Sequence, residues 1–211
     1  MDILLKYFPN LPQHMLEQFA ALGVLYPEWN EKINVISRKD IHNLYSHHVL
    51  HSLVISRFLS DYGEPVDGTT FIDLGTGGGF PGIPMAIMHP NCNFHLIDRI
   101  GKKIKVAQSI AESIGLTNVT FQHGDIGECK LKANFVISRA VMRLDALLPL
   151  IRKNIMPKSH GRLKNGLICL KGGDIDSEIP NNASVMDIDI TDFFNEPHFQ
   201  EKKLIYVPMT R

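Results

Sequence analysis

Hydrophobic residues recur at helical spacing through the first sixty positions of this chain and in short blocks after that. Apolar side chains every three or four residues predict one helix after Pro12 and a second from about Tyr45 to Leu59. The turn-forming residues between Asp61 and Thr69 predict the end of this helical region. The pattern therefore divides the chain into an N-terminal helical cap, residues 1–64, and a larger domain, residues 65–211.

Beyond Thr69, short apolar blocks alternate with helical segments. The predicted helices cover 82–88, 102–114 and about 144–155, and the predicted strands cover 70–72, 93–97, 119–121, 133–138, 166–170, 183–190 and 203–207. This alternation predicts an α/β fold, in which a mainly parallel twisted sheet is covered by helices on both faces. Ligands of such sheets bind beyond the carboxyl ends of the strands. Candidate ligand groups therefore stand at the predicted strand ends: Asp73, Asp98, Asp125, Arg139 and Lys171.

A glycine-rich turn joins the first strand of the larger domain to its first helix. The segment Phe71–Pro84 reads FIDLGTGGGFPGIP, with glycine at positions 75, 77, 78 and 79. Glycine permits a sharp turn at positive φ and lets a ligand approach the main chain. The following helix directs free N–H groups at whatever lies there. The order of strand, glycine turn and helix predicts a binding corner for a nucleotide-sized cofactor, with Gly77 within it.

Two neighbouring residues bear on which cofactor this corner takes. The glycines from Gly77 to Gly82 match G-x-G-x-x-G, so an NAD-dependent oxidoreductase is one alternative. However, Asp73 would bring a negative charge to the phosphates, and Pro81 lacks the N–H group that a phosphate would need. A cationic ligand without phosphate suits the corner better, which favours S-adenosyl-L-methionine. Asp73 would then orient the loop or meet the ammonium group of the cofactor.

Asp98 ends the second predicted strand of this domain, about 20 residues beyond the glycine turn. An acidic side chain at this place can accept both ribose hydroxyls of an adenosine, in NAD and S-adenosylmethionine alike. Alternatively, Asp98 is the N-cap of the next helix. The end of the third strand, with Ile126 and Gly127 after Asp125, could flank the adenine ring, although Gly124 and Asp125 also suit a simple turn.

Composition and charge limit the possible partners and location. Lysine and arginine number 22, as do aspartate and glutamate, so the chain lacks the basic balance typical of nucleic-acid binders. An RNA partner would need positive charge gathered on one face, as clusters such as 158–164 permit, although solvated surface charge is the simpler explanation. Three scattered cysteines, no apolar run of about 18 to 20 residues and no signal peptide predict a cytoplasmic protein without a membrane span.

Four histidines lie close together in the helical cap: His42, His47, His48 and His51. His47 and His51 are four positions apart on one helix face, a spacing at which two imidazoles can share a metal. Because no cysteine or paired carboxylate nearby completes a site, we predict no metal. The role of these histidines is open: they are partly exposed or face a substrate.

Several motifs together resemble a known bacterial family, the guanine-N7 methyltransferases of 16S ribosomal RNA, also called glucose-inhibited division protein B. The similar stretches are the glycine segment with Pro81–Pro84, LID at Leu96–Asp98, VISRA at Val136–Ala140 and LKGG at Leu170–Gly173. Upstream, Trp29 with Asn30 and Asn34 resembles a WN…xN segment, and His48 with Ser52 resembles an H-x-x-x-S helix. The resemblance covers most of the chain, although the family often has a basic residue at His47 and an acidic one at His51.

The resemblance implies a Rossmann-like methyltransferase that acts on small-subunit ribosomal RNA or its precursor particle. It implies cofactor contacts at Gly75, Phe80, Ile126, Gly127 and Arg139, with Asp98 as the ribose ligand and Lys171 as an active-site or RNA contact. Guanine N7 has a lone pair and no proton, so no general base is needed, and Arg139 would position the base or a phosphate. We expect a monomer. A catalytically silent RNA-binding factor on the same fold is the other alternative.

Overall fold

The computed structural model describes residues 1–139, 141–181 and 183–210. Ala140, the last residue of the VISRA motif, lies outside the described residues. The helices are α1 Asp2–Tyr7, α2 Gln13–Lys32, α3 His51–Tyr62, α4 Gly82–Met88, α5 Gly101–Ser113 and α6 Leu144–Ile151. The strands are β1 Thr70–Leu74, β2 Asn93–Asp98, β3 Val119–His123, β4 Phe135–Arg139, β5 Gly166–Gly172, β6 Met186–Asp189 and β7 Lys202–Pro208.

The strands form one seven-stranded sheet in the order β3-β2-β1-β4-β5-β7-β6. The first five in this order pair in parallel, whereas β7 is antiparallel to both β5 and β6. The mainly parallel sheet predicted from the alternating pattern is therefore confirmed. Because β2 and β4 lie on opposite sides of β1, the order of the strands reverses there, and a crevice opens at the carboxyl ends of β1 and β4.

Helices cover both faces of the sheet. Alternate residues of a strand point to opposite sides, and apolar side chains on each side pack against helices. On one face, Phe71 of β1 stacks on Phe94 with ring centroids 4.9 Å apart, in the same core as buried residues of α2 to α5. On the other face, Ile72 belongs to a second core with Leu147 and Ile151 of α6. These two cores confirm the prediction of a sheet covered by helices on both faces.

The N-terminal helices pack into the first of these cores. Phe19, Leu22 and Tyr26 of α2 are fully buried there, as is Leu53 of α3. The division of the chain after residue 64 stays a prediction. Short α1 was not predicted, since six residues give too little periodicity to recognise.

The second predicted helix of the cap is not regular. Residues Leu44–Leu50 form a π-helix, and the α-helical geometry of α3 begins only at His51. In the larger domain, α6 stops at Ile151 and continues as a 3-10 turn, Arg152–Asn154, within the segment predicted as one helix. Across the described ranges, no helix combines the length and apolarity needed to cross a membrane.

Candidate cofactor site and the Arg139 cluster

The glycine loop after β1 has the backbone conformation that its sequence predicts. Gly75, Gly77 and Gly79 have φ angles of 71°, 58° and 111°, which L-residues with side chains rarely adopt. The amide of Gly75 donates to the carbonyl of Ile97 over 2.8 Å and ties the loop to β2. A Cβ atom on Gly75 would lie 2.7 Å from Cγ2 of Val141, so crowding also selects glycine there.

Asp73 lies behind this loop and holds it in place. Its carboxyl group is fully buried, and its Oδ2 accepts hydrogen bonds from Thr76 Oγ1 at 2.5 Å and from the amide of Gly82 at 2.8 Å. Among the described residues, Oδ1 has no hydrogen-bond partner. Burial raises the pKa of Asp73 to about 7. The two hydrogen bonds fit the first predicted role of Asp73, which is to orient the loop. Its second predicted role, contact with the ammonium group of the cofactor, stays a prediction.

Most N–H groups of the glycine loop are already paired within the protein. Gly77 donates to Asp98 Oδ2 at 2.8 Å, and the amide of Gly79 donates to the carbonyl of Thr76 at 2.9 Å. A carboxyl oxygen of Asp73 accepts the hydrogen bond of the Gly82 amide at the beginning of α4, a donor that a bound anion would otherwise need. A diphosphate would find few free donors here, so this arrangement disfavours the dinucleotide alternative.

A cavity of about 370 Å³ opens beside the loop, at the carboxyl ends of β1, β2 and β3. Three predicted cofactor residues line it: Gly75, Asp98 and Ile126. Its other lining residues include Ile100 after β2, Lys103 of α5, Val141 and Met142, which follow β4 in the chain, and Leu150 of α6. The volume lies within the range of small-ligand pockets, roughly 300 to 1,000 Å³. A larger hollow of about 560 Å³ lies beside α6 and the end of β7, and none of the predicted site residues lines it.

Asp98 supports the loops on both sides of this cavity. Its Oδ2 accepts from Gly77, and its Oδ1 accepts from the amide of Ile100 at 2.8 Å. The N-cap position of α5 is Ile100, so the alternative that Asp98 is this N-cap is wrong. A carboxylate has about four acceptor sites, which leaves both oxygens able to accept a hydroxyl as well. Asp98 thus combines loop support with the capacity to bind a diol.

Asp125 shapes the opposite wall of the cavity. Its Oδ1 accepts from the amide of Gly127 at 2.6 Å, which caps the 3-10 turn Ile126–Glu128. Its Oδ2 accepts from Arg99 Nε at 2.7 Å. Ile126 is buried and presents an apolar surface to the cavity. Gly127 stands outside the lining, so its predicted cofactor contact stays a prediction.

Phe80, Arg139 and Lys171 lie outside this cavity. Phe80 is buried, with its ring centroid 4.6 Å from that of Tyr26, and the guanidinium of Arg139 lies 5.3 Å above its face. Lys171 forms an ion pair with Glu178, which also accepts from the amide of the first residue of α6. Its ammonium group is therefore largely committed within the fold. The predicted roles of these three residues in binding and catalysis stay predictions.

The histidines of the cap gather around Arg139 and an acidic residue that the sequence did not single out, Asp40. Oδ1 of Asp40 lies 2.6 Å from His47 Nδ1, and its Oδ2 lies 2.8 Å from His48 Nε2. Arg139 Nη2 lies 3.1 Å from His48 Nδ1. Asp40 gave no signal in the sequence because it stands in an irregular segment without periodicity. Within the described ranges, no set of three or more His, Cys, Asp or Glu residues is arranged to hold a metal ion.

The remaining histidines of this region contact one another and the loop before β7. The ring of His47 stacks on that of His198, with centroids 3.5 Å apart and planes 10° from parallel. His51 is buried, and its ring lies 5.6 Å from that of Phe199. The i,i+4 spacing that suggested a shared metal thus brings His47 and His51 to a third imidazole and an aromatic ring instead.

Comparison with known proteins gives a consistent result for the whole chain. The family model described as rRNA small subunit methyltransferase G (GidB) matches residues 15–205. Ribosomal RNA small subunit methyltransferase G of Phocaeicola vulgatus is 54% identical over 211 residues, covering 100% of this chain and 99% of the relative. The protein of the same name from Bacteroides fragilis is 54% identical over 208 residues, 98% of this chain and 99% of the relative.

A solved structure confirms the fold. The crystal structure of a SAM-dependent methyltransferase from Aquifex aeolicus superposes with a TM-score of 0.55 at 14% identity, over 82% of this chain and 98% of that one. The mainly parallel sheet with its glycine loop is therefore the Rossmann-like methyltransferase fold that the sequence predicts. With the family model matched over residues 15–205 and relatives alike from end to end, this chain belongs to the rRNA small subunit methyltransferase G family.

Proposed function

We propose that this protein transfers a methyl group from S-adenosyl-L-methionine to N7 of a guanine in 16S ribosomal RNA. The observation that carries the proposal is the family match over residues 15–205, within which the cavity beside the glycine loop lies. The buried Asp73 and the loop's N–H groups, most of which are paired within the protein, add support, because they suit a cofactor without phosphate.

The lining of the cavity fits an adenosine cofactor. Asp98 has acceptor sites left for two ribose hydroxyls, and Gly75 offers bare backbone against which a ligand can lie. Ile126 gives an apolar surface for the adenine ring. When bound, S-adenosylmethionine supplies an electrophilic methyl group on its sulfonium. The residues of this chain then bind and orient, and none needs to carry the methyl group.

The chemistry of the target asks for alignment more than for proton transfer. Guanine N7 bears a lone pair and no proton, so no residue is required as a general base. Holding the two reactants in line can supply several kcal/mol of the barrier reduction. Arg139 ends β4 at the same edge of the sheet as the glycine loop, and its planar donors suit guanine O6 or a phosphate. We assign it a positioning role. Lys171 is proposed as a contact to RNA, which would require its ion pair with Glu178 to open.

The partner and location follow from this activity. The substrate is small-subunit ribosomal RNA, free or in a precursor particle, and the protein works in the cytoplasm as a monomer. Because the chain has no net charge, we expect RNA to contact only surfaces where lysine and arginine gather.

The test is methylation of ribosomal RNA by the purified protein. Labelled methyl groups from S-adenosylmethionine should appear in 16S RNA, offered free or as small subunits. Borohydride and aniline cleave RNA at N7-methylguanosine, so primer extension should then stop at one guanine. Tight NADH binding without a response to S-adenosylhomocysteine would overturn the proposal in favour of an oxidoreductase. If the protein bound RNA but incorporated no labelled methyl group, the proposal would be overturned in favour of a catalytically silent RNA-binding factor.

Arg139→Ala should lower turnover by at least about 10-fold, the effect of losing a hydrogen bond to a charged group. The pH profile should keep its shape, since Arg139 is proposed to position rather than to transfer a proton. Arg57→Ala is the matched control: Arg57 forms an exposed ion pair with Asp61 on α3 and should leave turnover unchanged. Loss of a titrating limb in the Arg139 variant would indicate acid–base catalysis instead.

A further inference from the structure

A chain of hydrogen bonds runs from the helical cap to the end of β4. Asp40 Oδ2 lies 2.8 Å from His48 Nε2, and His48 Nδ1 lies 3.1 Å from Arg139 Nη2. Asp40 and His48 belong to the irregular segment before α3, whereas Arg139 is the last residue of β4. The two parts of the chain are 91 residues apart in sequence at the His48–Arg139 contact.

The available donors determine which group donates in each of these two hydrogen bonds. A guanidinium group has N–H donors and no acceptor, so His48 Nδ1 must accept from Arg139. The imidazole proton is then on Nε2, where it is donated to Asp40. His48 is therefore neutral, in agreement with burial and the nearby Arg139 charge, which lower its pKa to about 4.

Asp40, at the other end of this series of hydrogen bonds, stays ionised. Burial raises the pKa of its carboxyl group, but hydrogen bonds from Asn43, His47 and His48 outweigh this effect and lower it to about 2. At neutral pH the three hydrogen-bonded groups are thus the carboxylate of Asp40, the neutral imidazole of His48 and the guanidinium of Arg139. His48 fixes the position of the guanidinium without adding a charge of its own.

His47 and His48 both lie in the π-helix Leu44–Leu50. Such helices are rare and are found frequently at functional sites. Here, two neighbouring residues both reach Asp40 with their imidazoles, and both also face Arg139: His48 through Nδ1 and His47 through its carbonyl, which accepts from Nη1 at 3.3 Å. Ser52 Oγ donates to the carbonyl of His48 at 2.7 Å and adds a bond to the irregular turn.

The guanidinium is held from a third side by the glycine loop. The ring of Phe80 lies 5.3 Å from the guanidinium carbon of Arg139, a distance suited to cation–π attraction. His48 and Phe80 are themselves neighbours, with ring centroids 5.4 Å apart. Contacts with His47 and His48 engage only part of the five guanidinium N–H groups, so donors are left for an acceptor of the substrate.

We propose that His48, held by Asp40, is a positioning residue that fixes the guanidinium of Arg139 for methyl transfer. This inference rests on the proposed function, in which Arg139 orients the target guanine. It adds two residues of the helical cap to the machinery and gives that cap a direct link to the active edge of the sheet.

His48→Phe removes both nitrogens and keeps a ring of similar size. It should lower kcat for RNA methylation by about 10- to 100-fold, as expected for the loss of a hydrogen bond to a charged group. The Kd of S-adenosylhomocysteine should change by less than about twofold, because His48 is not among the residues that line the cavity beside the glycine loop. His48→Asn should recover part of the rate, since its amide oxygen lies near the position of Nδ1 and can accept from Arg139.

A double-mutant cycle separates positioning from a general structural effect. If His48 acts through Arg139, adding His48→Phe to Arg139→Ala should change kcat by less than about twofold. Losses that multiply in the double variant would overturn the proposal, as would a His48→Phe enzyme with normal turnover. A wild-type protein that fails to methylate 16S RNA would instead overturn the proposed function itself.

His89→Phe is the matched control for removing a buried imidazole. His89 lies 3.0 Å from the hydroxyl of Ser56, and burial lowers its pKa to about 4, as for His48. Its substitution should lower the melting temperature and leave kcat unchanged. If His89→Phe reduced kcat as strongly as His48→Phe, the effect would be one of stability and the positioning proposal would be wrong. Binding of S-adenosylhomocysteine checks that each variant is folded.

Discussion

Replacing Asp73 by asparagine removes a buried ionisable group from behind the glycine loop, and it should change how stability depends on pH. The carboxyl group is fully buried, and one of its oxygens accepts from both Thr76 and Gly82. Burial raises its pKa from 3.8 to about 7. Asparagine has nearly the same shape and can keep one acceptor oxygen in place, but it cannot ionise.

The size of the effect follows from the raised pKa. Between about pH 4 and pH 7 the folded protein keeps a proton that the unfolded chain has released, so its free energy of unfolding falls as the pH rises. A shift from 3.8 to about 7 corresponds to at most roughly 4 kcal/mol. His48 and His89, whose pKa values burial lowers to about 4, act in the opposite direction as the pH rises. Their contributions cancel when the wild type is compared with the Asp73→Asn variant.

Urea unfolding of both proteins between about pH 4 and pH 8 measures this difference. The free energy of unfolding of the wild type minus that of the variant should fall with rising pH and level off above about pH 7. A difference that stays constant within about 1 kcal/mol would refute the conclusion that a buried, proton-binding carboxyl group supports the loop. A difference that rises with pH below about pH 5 would mean that the hydrogen bonds lower the pKa of Asp73 below its ordinary 3.8 instead.

Three further substitutions test the loop and the cavity. Asp98→Ala should weaken binding of S-adenosylmethionine by about 1 to 3 kcal/mol in calorimetry, since it removes a charged acceptor, and unchanged affinity would contradict the ribose assignment. Gly75→Val introduces a side chain at a φ of 71° and a clash with Val141, so it should abolish S-adenosylhomocysteine binding; full affinity would refute this. Tyr26→Phe removes a 2.8 Å hydrogen bond to the carbonyl of Gly78 and should lower the free energy of unfolding by about 1 to 2 kcal/mol, whereas wild-type stability would mean that the loop does not depend on the cap.

Local patterns in the sequence determined the order of the elements and the place of the cofactor corner. The apolar run of a strand, the periodicity of an amphipathic helix and the glycines of a turn are each patterns among residues close together in the chain. A single sequence is therefore enough to recognise them. The predicted strand ends differ from the observed ones by a few residues at most, and Asp98 and Gly75 both line the cavity. The family motifs lie within these same elements, which is why the family resemblance and the physical pattern gave the same fold.

Only the tertiary structure decided how side chains distant in sequence combine. The hydrogen-bonded group of Asp40, His48 and Arg139 spans 91 residues between its last two members. Glu178, the ion-pair partner of Lys171, also accepts from the amide of Leu144, which is 34 residues away. The same holds for Asp73, whose burial and raised pKa result from packing on every side. Hydrogen-bond partners and desolvation depend on three-dimensional proximity, which short-range periodicity does not encode. The sequence therefore determined which groups stand at the carboxyl ends of the parallel strands, and packing determined which partners each of them contacts.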